Sequence, residues 1–214
     1  MMRPVGWLIG LLLITLSSCS PKLFGGMAKQ GKVEIDRREL FPLLDGCDSS
    51  LVLDTWIDFK KNRFSGQLIV APTDSVNTYQ LVFLSDLGLS FFDFEVGEKT
   101  FVVNHCIEPL QRKAVLSIFE QDFRTLLMLD VPQRFRATKY AGDGVVGYKA
   151  PTSDGKCCYL TDPRKRQWLA ANKKGIITAL DIRLSEYEEL GFPKIEMEHP
   201  KIGLKLLMEK MKEE

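Results

Sequence analysis

The hydrophobic period of this sequence changes twice, and that limits the folds open to it. Leu51, Leu53, Thr55, Ile57 and Phe59 alternate with Val52, Asp54, Trp56, Asp58 and Lys60, which is the pattern of a strand with one buried face. Residues 64–71, 79–85 and 89–96 read as three more strands, separated by Lys61-Asn62, Pro72-Thr73-Asp74-Ser75 and Asp86-Leu87-Gly88. On the last of them Ser90, Phe92, Phe94 and Val96 share a face, while Asp93 and Glu95 face away. Consecutive strands with links this short are antiparallel neighbours. From 108 to 129 the period becomes helical, with Leu110, Ala114, Val115, Ile118, Phe119, Phe123, Leu126 and Leu127 recurring at threes and fours.

Short strands then return at 134–140, 144–149, 156–160, 167–172, 176–183, 194–199 and 202–208. Turn signals such as Gly142-Asp143-Gly144, Ser153-Asp154-Gly155 and Asp162-Pro163 separate several of them. No internal repeat or domain linker interrupts this order. The expected fold is α+β, one large antiparallel sheet curling around helices on its concave side. The apolar stripe of the long helix needs a partner, and the sheet's apolar face is the obvious one. A brief helix is also expected over 36–44, with Leu40, Phe41, Leu43 and Leu44 packing.

The first eighteen residues read as an exported leader. Arg3 supplies a positive start, and 5–16 is an apolar run broken only by Gly6, Gly10 and Thr15. A run of roughly a dozen residues is too short to span about 30 Å of hydrocarbon. Leu16-Ser17-Ser18-Cys19 closes it and resembles the lipobox of bacterial lipoproteins, in which cleavage precedes the cysteine and its thiol carries a diacylglycerol. The plain alternative is an ordinary signal peptide followed by a chance cysteine. Two acyl chains on Cys19 would hold the protein at a bilayer essentially permanently. Ser20 stands where an aspartate would, by resemblance to known sorting rules, favour the inner membrane. No acidic cluster follows it, so the expected address is the periplasmic leaflet of an outer membrane. Residues 19–32 are expected to be a lipidated flexible tether, and 33–214 a single domain.

Removing eighteen residues from 214 leaves 196, enough for one domain with a substantial core. The 29 Lys+Arg lose Arg3 with the leader, so 28 basic residues face 28 acidic ones. Nucleic acid is a poor partner for such a chain, since phosphate binding needs a basic excess. Of the 5 cysteines, Cys47, Cys106, Cys157 and Cys158 remain after Cys19. Disulfides are permitted in this compartment, and Cys47 can be joined to Cys106 or to one of the adjacent pair; spacing does not choose. A metal site built on His105, Cys106 and the pair lacks any C-x-x-C or H-x-x-x-H spacing, so no metal or cofactor is expected.

Catalysis is not expected either. The chain has 2 histidines, His105 and His199, and no G-x-S-x-G, H-E-x-x-H or glycine-rich phosphate loop. His105 and Cys106 are adjacent, so on a strand they point apart. A nucleophilic cysteine with His199 would need the fold to unite them.

The run Tyr79-Gln80-Leu81-Val82-Phe83-Leu84-Ser85-Asp86-Leu87-Gly88 resembles the lipoprotein-localisation factor superfamily (LolA/LolB-like). It is more similar to the outer-membrane receptor, itself a lipoprotein, than to the soluble periplasmic carrier. The likeness continues through Phe91-Phe92-Asp93-Phe94-Glu95-Val96, a central helix, and the closing Phe192-Pro193-Lys194-Ile195-Glu196-Met197 and Ile202-Gly203-Leu204-Lys205-Leu206. It covers most of the mature chain in order and spacing, but only these stretches in residues. The resemblance implies an unclosed, U-shaped half-barrel with a helical lid. It also implies an apolar cavity that takes up acyl chains of lipoproteins, with a periplasmic carrier protein as partner. The inward candidates are Leu68, Val70, Leu81, Phe83, Phe92 and Phe94, with Ile118, Phe119 and Phe123 opposite on the helix. The alternative is that these side chains fill a solid core, leaving a structural or adaptor lipoprotein without a ligand cavity. Leu87 matches the receptor's turn leucine, which projects into solvent and aids delivery into the membrane, although its flanking residues depart from that pattern.

Overall fold

The computed structural model describes residues 24–40, 43–44, 50–152, 155–162, 167–174, 177–184, 194–199 and 202–210. Residues 1–18, read from the sequence as a leader, and Cys19 and Cys47 lie outside them. The strands are β1 (Ala28–Asp36), β2 (Leu51–Phe59), β3 (Asn62–Pro72), β4 (Thr78–Ser85), β5 (Ser90–Gly97) and β6 (Phe101–Cys106). The helix α1 (Lys113–Leu126) follows. The chain continues as β7 (Arg134–Gly142), β8 (Val145–Thr152), β9 (Gly155–Asp162), β10 (Gln167–Lys174), β11 (Ile177–Leu184), β12 (Ile195–His199) and β13 (Leu204–Lys210).

All thirteen strands join one sheet, in the order β1-β7-β8-β9-β10-β11-β12-β13-β2-β3-β4-β5-β6, and every neighbouring pair is antiparallel. β1 and β6 are its two edges, and they do not pair with each other, so the sheet is open. The chain is thus mostly antiparallel β-structure with one α-helix among the described residues.

The sheet bends, and the contacts of α1 require it. Phe123 meets Phe92 and Phe94 on β5, while Thr125, two residues on, reaches Asp130 and through it Tyr159 on β9. β5 and β9 are eight steps apart in the strand order. In a flat sheet eight steps would separate them by about 38 Å, far beyond the reach of two side chains within one helical turn. Strict alternation on β2 supplies the apolar face that bends inward: Leu51, Leu53, Thr55, Ile57 and Phe59 are buried, and the residues between them are half-buried.

The structure departs from the sequence expectations at five places. The tether drawn over 19–32 overlaps β1, which pairs with β7 from Ala28↔Ala141 to Asp36↔Arg134. Phe24, earlier still, is buried, with its ring stacked on Tyr140 at 4.5 Å and lying against Gly147, so the domain begins before residue 33. Backbone pairing needs few apolar residues, which is how a stretch as polar as Lys29-Gln30-Gly31-Lys32 can enter a sheet. Strand β6 was not anticipated; Val102, Asn104 and His105 are exposed on this edge strand, so no alternation announces it.

The helix begins at Lys113 rather than near 108. Residues 107–111 form turns around Pro109, from which Leu110 still reaches the core. Ala114, placed on the helix's apolar stripe, is exposed. The brief helix expected over 36–44 is a 3-10 turn, Arg37–Leu40, that buries Leu40; Leu43 is also buried, beyond the turn.

Candidate functional site

Eight phenylalanines form one connected set of ring contacts between sheet and helix. Phe64, Phe83, Phe91, Phe92, Phe94 and Phe101 come from the sheet, and Phe119 and Phe123 from α1. Phe92 and Phe94 stack at 4.3 Å, Phe92 lies 5.5 Å from Phe119, and Phe119 lies 5.8 Å from Phe123. These separations are those of rings in contact, so here side chains occupy the space between β5 and α1. Leu68, Val70, Leu81, Phe83, Phe92, Phe94, Phe119 and Phe123 are all fully buried in the same cluster, and Ile118 packs against its margin half-buried. The structure therefore brings every residue named from the sequence as an inward candidate to one interior.

A β-bulge shapes one end of this interior. Phe83 pairs with Phe92 and Leu84 with Ser90, leaving Phe91 as the extra residue. Its ring turns to Phe83 at 4.9 Å and to Phe64 at 5.4 Å, and Phe64 and Phe91 are both half-buried. Just beyond lies the β4–β5 turn, closed by the Leu89 carbonyl accepting from the Ser85 N–H (2.8 Å) and the Ser85 carbonyl from the Gly88 N–H (2.8 Å). Gly88 adopts φ +78°, a conformation that glycine enters without cost. Leu87 at its tip is 88% exposed and Leu89 is 68% exposed.

Polar contacts fasten α1 to the sheet. Asp122 lies on the buried side of the helix, and both its carboxylate oxygens are 2.8 Å from Nε2 of His199 on β12. Burial pushes the Asp122 carboxyl above its ordinary range, and the His199 contact draws it back less strongly. Past the helix, Asp130 accepts from the Tyr159 hydroxyl (3.0 Å) and the Thr125 hydroxyl (3.2 Å), and burial holds its carboxyl up at about 6. Arg124 donates from Nε to the Gly97 carbonyl (3.0 Å), and Arg37 from its guanidinium to the Met128 carbonyl (3.2 Å). Met128 itself sits at φ +53°, where the chain turns out of the helix.

The sequence reading missed these fastenings, although an aspartate three residues after Phe119 and four before Leu126, on the helix's buried face, was a visible sign.

The other singled-out residues are dispersed. His105 is exposed, with its Nε2 3.1 Å from the Ser90 carbonyl, and His199 is occupied by Asp122. Burial raises the Cys106 thiol to about 11, the wrong direction for a nucleophile. Cys157 is buried in the core and its thiol is also raised; Cys158 is buried outside that cluster, as opposite faces of β9 require. Among the described residues no three His, Cys, Asp or Glu side chains group to hold a metal. No helix among them is long and apolar enough to cross a membrane.

No family model matches the chain, and no curated protein matches it. Among solved structures, it overlaps the dehydratase domain from the CurK module of curacin polyketide synthase at 12% identity, over 92% of this chain and 88% of that one. An inactive mutant of the same dehydratase overlaps to the same extent. The TM-score is 0.17 in both cases, too slight a likeness to carry over a fold or an activity.

Proposed function

We propose that this chain is an outer-membrane lipoprotein, anchored through a lipid on Cys19 and facing the periplasm. We further propose that it binds acyl chains of lipids or lipoproteins in the interior between sheet and helix, in the manner of the lipoprotein-localisation factors. On this reading the sheet is an unclosed half-barrel, and α1 is the lid on its concave side. Leu87, at the β4–β5 tip, is the apolar contact for delivery. The function is localisation and insertion of lipoproteins, without catalysis or cofactor. Its partners are acyl chains and a periplasmic carrier.

The observation that supports this reading is the apolar interior between β5 and α1, with phenylalanines on both sides. Burying a chain of about sixteen carbons gives on the order of 10 kcal/mol gross. That gain is set against the cost of moving α1, which buries Val115, Phe119, Phe123 and Leu126 as well as making its polar contacts. Because the rings already meet, the acyl chain replaces the side chains of α1 rather than filling an empty space.

The same ring contacts favour a second reading, an adaptor lipoprotein with a solid core that docks on an outer-membrane complex by its sheet edge. Native mass spectrometry of the domain from Ser20 onward, purified from a periplasm, separates the two. Acyl ligand that co-purifies, and is lost in Phe92→Asp or Phe119→Asp while circular dichroism still shows the fold, supports the carrier. A bare chain that also ignores added acylated peptide leaves the adaptor.

A further inference from the structure

The anchor and the Leu87 turn lie at opposite ends of the sheet. Every neighbouring pair is antiparallel, so strand direction reverses at each step of the order. β1 and β4 are separated by ten steps and run the same way. The start of β1 therefore shares an end with the turn before β4, which carries Val76, and with the β7–β8 turn at Asp143. The turn after β4, with Leu87 and Leu89, lies at the other end. So does Ile202, beside Lys60, whose N–H donates to the Gly203 carbonyl (3.2 Å).

Phe24 is the first described residue, and it is fixed to the anchor end by its stack on Tyr140 and its contact with Gly147. Five chain steps separate it from Cys19. Fully extended they reach about 18 Å. The eight residues of β4 alone span about 27 Å along the strand. A lipid on Cys19 thus holds the start of β1 and the β7–β8 turn close to its bilayer, and a domain standing on that end carries Val76 toward the surface and Leu87 away from it.

We propose that the domain stands end-on upon the membrane that holds its lipid, with the β3–β4 and β7–β8 turns at the headgroups. Leu87, Leu89 and Ile202 then face the aqueous space, so any transfer contact they make is with an arriving partner rather than with the anchoring bilayer. This inference rests on the Cys19 anchor proposed above. The partner at the near end is the lipid surface itself, fixed by the length of chain between Phe24 and Cys19.

The test uses the full lipidated protein in vesicles of phosphatidylethanolamine and phosphatidylglycerol. An environment-sensitive fluorophore is placed on Val76→Cys or Leu87→Cys, and the unsubstituted protein reports the background. Nitroxide lipids labelled at the headgroup should quench the Val76 position several times more strongly than the Leu87 position. A Gly-Ser insertion of about fifteen residues after Ser20 should reduce that difference. Equal quenching at both positions, or stronger quenching at Leu87, on a protein whose Cys19 peptide carries its acyl mass overturns the orientation alone. An unmodified Cys19 overturns the anchor and the orientation with it.

Discussion

Asp122 and His199 meet across 77 residues of sequence, inside a largely apolar interior. Removing one partner strands the other. His199→Leu should cost about 3 kcal/mol, because Asp122 must then be buried without its donor. The double change Asp122→Leu with His199→Leu should recover most of that loss, and urea midpoints for the three proteins measure the coupling. Asp130 yields a pH prediction. Its carboxyl is raised from 3.8 to about 6, so the folded state takes up a proton more readily than the unfolded chain. This contribution therefore opposes stability above pH 6 and is relieved as pH falls from 6 toward 4, by on the order of 3 kcal/mol. Asp130→Asn should flatten that part of the pH profile, measured by urea unfolding at pH 7 and pH 5. Asp36 acts in a separate window; Arg38 holds it down at about 2, so its favourable effect fades only below pH 4.

Strand β3 crosses β4 closely at Gly66, which has φ +154° and pairs with Ser85. A methyl group there would overlap the Leu84 carbonyl oxygen, which belongs to backbone and cannot move aside. Gly66→Ala should therefore destabilise the domain by several kcal/mol, read as a lowered thermal midpoint. The elements also show what the sequence could reveal. Strands β2 to β5 were legible because one face is buried and the other is not, so the period of two survives in the residues. Edge strands escape that rule. On β1 only Val33 and Ile35 pack on the core, and β6 leaves Val102, Asn104 and His105 exposed. The phenylalanine interior could be named from periodicity because each side chain's facing is set by its own element. The Asp122–His199 contact could not, since it depends on which strand the bend brings to the helix.

As a whole the molecule is held at its rim by β1, which covers one side of β7. A soluble chain started at residue 33, where the sequence reading put the domain boundary, would strip the first half of β1 and the Phe24 stack. It should unfold at lower temperature than a chain started at Ser20 and should associate at high concentration, both measurable by calorimetry and sedimentation. An open sheet of this kind is a ribbon with two unlike selvedges, β1 bearing Lys29 and Lys32, and β6 short with Val102 exposed. Joining one selvedge to the other between copies would be a head-to-tail contact, which closes into a ring only at a particular angle and otherwise grows without limit. Lysines on an edge strand such as β1 oppose that polymer, and the anchor proposed on Cys19 would further confine the copies to orientations in which they stand side by side.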